Sequence, residues 1–250
     1  MSEWFAKMSE WFAKLESDFI QTFITDNRYM YFVRGLKITL EVTLMAVVLG
    51  IVLGVVVAVI RSAHDQQRTG RSNFLLGFLN AVCRVYVTVI RGTPTMVQLL
   101  IMWFVVMASV RTSDANMIRC AVLTFGINSG AYVAEIVRSG LMSIDAGQME
   151  AGRSLGLDYA KTMRFIIVPQ AFKNILPALG NELITLLKET SIVTVIGLKD
   201  ITKGATIIQG VAYQAMMPLL AAAAIYLVMV MLLSWLLSKL ERRMRASDRR

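Results

Sequence analysis

The sequence predicts an all-α, polytopic membrane protein with five crossing helices, an amphipathic helix at the N-terminus and a short polar helix at the cytoplasmic surface. Three observations predict it. Of 250 residues, 56% are hydrophobic and 17% charged, whereas about a quarter of a soluble domain is charged. The apolar residues gather into runs of about 20, the length that crosses a bilayer as a helix. The net charge of +9 is scattered at the ends of those runs. A nucleic-acid surface would cluster such charge with aromatics on a water-exposed element, so nucleic acid is excluded as a partner.

The N-terminal segment, 1–34, repeats itself: MSEWFAK at 1–7 returns unchanged at 8–14. Trp4, Met8, Trp11 and Leu15 share one helical face, with Phe5 and Phe12 beside them. A helix lying in the membrane interface fits, with its tryptophans at headgroup level. A duplication without function is the alternative. Glu10, Lys14 and Glu16 interrupt any apolar stretch a signal peptide would need.

Five spans follow, at about 38–60, 90–110, 117–137, 178–198 and 216–237. The first carries Glu41, and its Gly50 and Gly54 form a G-x-x-x-G pattern suited to close helix packing. The second is apolar from Met96 and extends back into a helix at 74–90. The third has Glu135 near its end, the fourth crosses despite internal charges, and the fifth has none. A basic tail occupies 238–250.

Orientation follows from the lysines and arginines of the loops. With the N-terminus outside, segments 61–91, 138–173 and the tail hold five, five and six of them on the cytoplasmic side, against nine opposite. The bias places the N-terminus outside and the C-terminus inside. Burying the 138–173 loop would submerge five basic and three acidic residues. At roughly 2.5–3.5 kcal/mol each, that exceeds about 20 kcal/mol. The loop belongs in water or against another protein.

Within it, EAGRSLGLDYAKTMRFIIVPQ at 150–170 reads as two helices and a turn. Gly156 can end the first helix with positive φ, and Asp158 can cap a second from 159 to about 167. Pro169 and Pro177 then set the approach to the fourth span. Glu150, Ala151, Gly156, Ile166 and Pro169 fall at the offsets of E-A-A-x3-G-x9-I-x-L-P, with Gly152 and Val168 as departures. This resembles the EAA loop of ABC-importer permeases. RGTPTMVQLL at 91–100, GAYVAEIVRSG at 130–140 and LLKETSIVTVIGL at 186–198 resemble the polar amino acid uptake branch. The resemblance covers about 35–237.

The resemblance implies a bacterial inner-membrane permease with a cytoplasmic coupling helix. Glu150, Ala151, Gly152, Arg153, Leu155 and Gly156 would meet a cytoplasmic ABC ATPase dimer, whose closure on ATP drives alternating access. The other implied partners are a second permease chain, identical or homologous, and an extracytoplasmic amino acid-binding protein. ATP would be bound by the ATPase; this chain has no G-x-x-x-x-G-K-[ST] and no cofactor of its own. Gly156→Pro or Gly156→Asp is expected to abolish uptake while the chain still inserts.

Ionisable residues within spans mark a cavity or a partner. Glu182 and Glu189, seven apart, stack on one helical face with Thr185 between. Thr190 and Ser191 follow. In the third span, Asn128 and Ser129 lie among glycines, followed by Tyr132 and Glu135. These nine residues are the expected substrate pathway, and the resemblance places it along the same two spans. Structural alternatives stand beside it: Lys188 or Arg91 pairing with Glu189, and Asn128 or Ser129 bonding across helices. The expected substrate is a polar amino acid, leaning to cationic or amide side chains; another small polar solute is the alternative. An intramembrane enzyme is disfavoured, because the Glu182/Glu189 pair has no histidine or metal partner. Cys83, Cys120 and His64 fit no metal pattern. A self-sufficient channel or secondary transporter is disfavoured by the docking loop.

Overall fold

The computed structural model describes residues 1–65 and 73–246, and within these it is helical with no strand. Helix α1 (Ser2–Phe19) runs through a π turn into a tight corner, where Asp26 and Asn27 adopt left-handed φ values of 52° and 53°. Helix α2 (Tyr29–Asp65) is the longest apolar element. Helix α3 (Phe74–Gly92) and α4 (Thr95–Ile101, extended by a π turn to Val106) divide the region of the second expected span. Helix α5 spans Asp114–Met142, α6 Ala146–Ser154, α7 Tyr159–Thr162 and α8 Val168–Glu189. A 3₁₀ turn leads to α9 (Ile201–Ala212), and α10 (Met216–Ala246) closes the fold.

Among the described residues, four helices are long and apolar enough to cross a membrane: α2, α3, α5 and α10. The second expected span is not one helix. Thr93 is extended, at φ −122° and ψ 145°, because the ring of Pro94 excludes helical geometry from the residue before it. The fourth expected span also differs. Its helix starts at Val168, carries Lys173, Glu182, Lys188 and Glu189, and gives way to a 3₁₀ turn after Glu189. Those charges keep α8 out of the apolar set.

The core is an α2–α5 pair. A Cβ on Gly50 would stand 2.9 Å from Ser129 Cβ, and one on Gly54 2.5 Å from Val133 Cβ. Small residues let two backbones approach this closely, so the G-x-x-x-G pattern packs as its spacing suggests. Contacts advance together along both chains, so α2 and α5 run parallel. Contacts of α5 with α8 run in opposite order, Ser129 to Glu182 and Gly140 to Ile175. Gly180 of α8 meets Leu237 of α10, again antiparallel. The segment that returns between the parallel α2 and α5 contains α3 and α4. Phe125, Leu99, Leu186 and Leu198 fill the space around the central pair. Leu44, Val48 and Val52 on α2, with Leu227, Met231 and Leu232 on α10, face outward. An apolar exterior of this extent suits hydrocarbon.

Candidate functional site: an elbow and a polar stripe

Two groups of candidate residues occupy opposite ends of one helical path. The first is the elbow after α6. Asp145 caps α6 by accepting from the Gly147 N–H at 2.7 Å, so the helix begins four residues before Glu150. Its end is a Schellman turn. Gly156 N–H reaches the Arg153 carbonyl at 3.0 Å, and Leu157 N–H reaches the Gly152 carbonyl at 3.1 Å. Gly156 takes φ +80°, with open space where a Cβ would stand. Asp158 then caps α7 through the Lys161 N–H at 2.8 Å, and that hydrogen bond holds its carboxyl below the ordinary aspartate range. The turn at Gly156 and the Asp158 cap stand where the sequence places them, while the Asp145 cap starts the first helix ahead of Glu150.

Gly152, the departure from E-A-A, has a visible reason. A Cβ there would lie 2.5 Å from Thr162 Cγ2 and 2.9 Å from its Oγ1. Thr162 is fully buried, and its hydroxyl donates to the Asp158 carbonyl at 2.9 Å. The glycine thus lets α6 fold tightly back on α7. Glu150, Arg153, Ser154 and Leu155 stay exposed, as a contact surface requires.

Beyond the elbow, sequence and structure differ. Helix α7, a π turn at Met163–Ile167 and α8 form one continuous path from Tyr159 to Glu189. Pro169 does not start a new element. A π turn shifts the hydrogen-bond register ahead of it, and proline sites are where such turns and kinks collect. At 1.5 Å per residue the path is about 45 Å long.

The second group lies on α5 and the far half of α8. Ser129 Oγ donates to Glu182 Oε1 at 2.8 Å. Asn128 Nδ2 donates to Gln98 Oε1 at 3.0 Å, and Gln98 Nε2 donates to the Ile90 carbonyl and to Thr93 Oγ1, both at 2.8 Å. Gln98 therefore ties the Pro94 break to the α5 stripe. Tyr132 lies beneath the Arg91 guanidinium, 5.1 Å from ring centre to carbon. Glu135 pairs with Arg61 of α2 and stands 4.0 Å from Arg91 of α3. Among the described residues, no lysine or arginine comes within ion-pair distance of Glu182 or Glu189. Arg91 answers Glu135, not Glu189. The Thr95 side chain is the hydrogen-bonding neighbour of Glu189, while Lys188 is exposed.

The remaining pathway candidates separate. Thr185 is exposed and Ser191 half-buried. Thr190 is fully buried, with its hydroxyl donated to the Leu187 carbonyl at 2.6 Å; its polarity serves the helix end. Asn128, Ser129, Tyr132 and Glu135 follow one another along α5, each with its own polar partner, and Glu182 joins the stripe through Ser129. Gln98 and Arg61 were missed as members. Gln98 is the lone amide in the apolar run after Pro94, which is the signal that could have found it. Arg61 carried none, because its partner lies 74 positions away. Tyr86 was also missed: its hydroxyl donates to the Ile127 carbonyl at 2.5 Å.

The family model described as the binding-protein-dependent transport system inner membrane component matches residues 50–246. The arginine transport system permease protein ArtQ of Bacillus subtilis (strain 168) is 39% identical over 186 residues, covering 70% of this chain and 84% of that one. The glutamine transport system permease protein GlnP of Escherichia coli (strain K12) is 41% identical over 167 residues, covering 66% and 76%. Among solved structures, an amino acid ABC transporter with histidines superposes with a TM-score of 0.77 at 43% identity, covering 88% of this chain and 98% of that one. A chain of the MetNI methionine ABC transporter in an inward-facing conformation shares the fold, with a TM-score of 0.70 at 20% identity, over 86% and 96%. The chain belongs to the binding-protein-dependent transport system inner membrane component family, and within an ABC importer it is the permease subunit, not the one that hydrolyses ATP.

Proposed function

We propose that this permease carries polar amino acids into the cytoplasm by alternating access. A partner ATPase dimer docks on α6, a second permease chain completes the pathway, and an extracytoplasmic binding protein delivers the solute. The observation that carries the reading is the Ser129–Glu182 contact, at 2.8 Å, set inside the helix bundle with no cation paired to the carboxylate among the described residues. A carboxylate in a span is costly unless it faces a polar cavity or meets a charged partner. The ammonium that every amino acid bears is such a partner. Relatives named for arginine and glutamine transport support a cationic or amide side chain.

The motion follows from the elbow. Closure of the ATPase dimer would pull on α6, and the Schellman turn at Gly156 passes that pull to the path that ends at Glu189. Thr95 and Gln98 sit at the α4 start, so displacement of α8 there opens or closes the stripe against α4 and α5.

Competition uptake in vesicles holding the full transporter tests the substrate reading. Glu182→Gln is expected to cut uptake of arginine or glutamine by about tenfold or more, the loss of one charge-assisted hydrogen bond of roughly 1.5–3 kcal/mol. Wild-type rate and wild-type selectivity in both Glu182→Gln and Glu189→Gln would overturn it.

A further inference from the structure

The duplicated heptapeptide lies outside everything described so far. Seven residues of α-helix fall about 20° short of two turns, so a seven-residue duplication repeats one face and adds about 10 Å of length. Helix α1 holds both copies without a break, and Trp4–Phe5 recurs as Trp11–Phe12, edge to face at 5.4 and 5.2 Å.

The two copies stand in different surroundings. The second leads into a docked end. Phe12, Leu15 and Phe19 share a cleft with Met217, and the Gln214 amide donates to the Asp18 carbonyl and the Thr22 hydroxyl, both at 2.9 Å. Thr22 is fully buried, and the Arg28 guanidinium holds the Gln21 carbonyl at 2.9 Å. The first copy reaches past this dock, and the aromatics of both copies are exposed, Trp4 63% and Phe5 57% against Trp11 56% and Phe12 58%. The dock also fixes the height of α1. It joins the start of α2, at Tyr29, nine residues ahead of that helix's apolar run, to Met216, where the apolar run of α10 begins.

We propose that α1 lies on the bilayer surface where α10 enters it, beside the first turns of α2, and that lipid is its occupant. The indoles of Trp4 and Trp11 sit among the headgroups, where an apolar ring and a polar N–H are both satisfied. The second copy anchors α1 to the fold; the first lengthens its grip on lipid and takes no part in transport.

The test uses the full transporter in vesicles of phosphatidylethanolamine and phosphatidylglycerol. Trp4→Phe subtracted from the parent isolates the Trp4 emission without touching a packed residue. That component is expected to be blue-shifted, lost when the lipids carry bromine near the headgroup, and unaffected by iodide added outside. Quenching by iodide alone would put α1 in water. Insensitivity to both would put it against protein, a second copy or the binding protein. Either result overturns the proposal. Deleting residues 1–7 leaves a chain that begins again MSEWFAK, and its uptake rate is expected to match the parent; loss of uptake would overturn the division of roles between the copies.

Discussion

Single residues decide how α6 is held. Gly156 has positive φ but no neighbour within reach of a Cβ, so the cost of substitution there is backbone strain alone. Asparagine and aspartate tolerate left-handed φ, at about 1–2 kcal/mol or less. Proline cannot adopt it, and costs about 3 kcal/mol or more. Gly156→Pro is expected to abolish uptake, whereas Gly156→Asn is expected to retain most of it; uptake rates at matched membrane levels check this. An uptake loss in Gly156→Asp would then report a spoiled partner contact and not a broken turn. Gly152 is the opposite case, with φ in the ordinary range and no room. Gly152→Ala is expected to cost about 1–3 kcal/mol by overpacking and to lower coupled ATP hydrolysis. Thr162→Ala in the same chain removes both clashing atoms and is expected to restore it.

Packing between elements tests a second set of contacts. Gly54→Leu would drive a side chain into Val133 and is expected to lower the melting temperature of the purified protein, by overpacking of about 1–3 kcal/mol. Close packing on α2 was legible because its cause is local, two small residues four apart on one helix face, but that α5 is the partner was not. The elbow was legible for the same reason, since Gly156 and Asp158 act within a few positions of themselves. What escaped depended on distance or on context. The Pro94 break hides inside an apolar run that looks continuous, and only the extended Thr93 shows that α3 and α4 are separate. The unbroken path through Pro169 was misjudged because a π turn has no simple sequence signal. The Arg61–Glu135 pair joins residues far apart in the chain, so nothing in either neighbourhood announces it.

At the scale of the molecule, charge bias and helix direction bear on one another. Parallel α2 and α5 require the chain to return once between them, as the outside-first orientation also requires. A cysteine placed at Arg153 is therefore expected to react with an impermeant maleimide only after the membrane is opened, and one at Asp26 from outside; the reverse pattern would invert the topology. Glu135 gathers Arg61 and Arg91 from two other helices, and Glu135→Gln leaves both cations short of a partner. Its melting temperature is expected to fall by several degrees, consistent with about 1.5–3 kcal/mol. The helical path from Tyr159 to Glu189 carries one more consequence. Coupling between two sites is reciprocal in free energy, and this path joins the elbow to Glu182 without leaving helical structure, through a π turn and past Pro177. Under the proposed function, solute resting at Glu182 then changes the affinity of the ATPase for ATP by the same factor that ATP changes the hold on solute, so the cell's nutrient supply is sensed at the nucleotide site without a separate receptor for it.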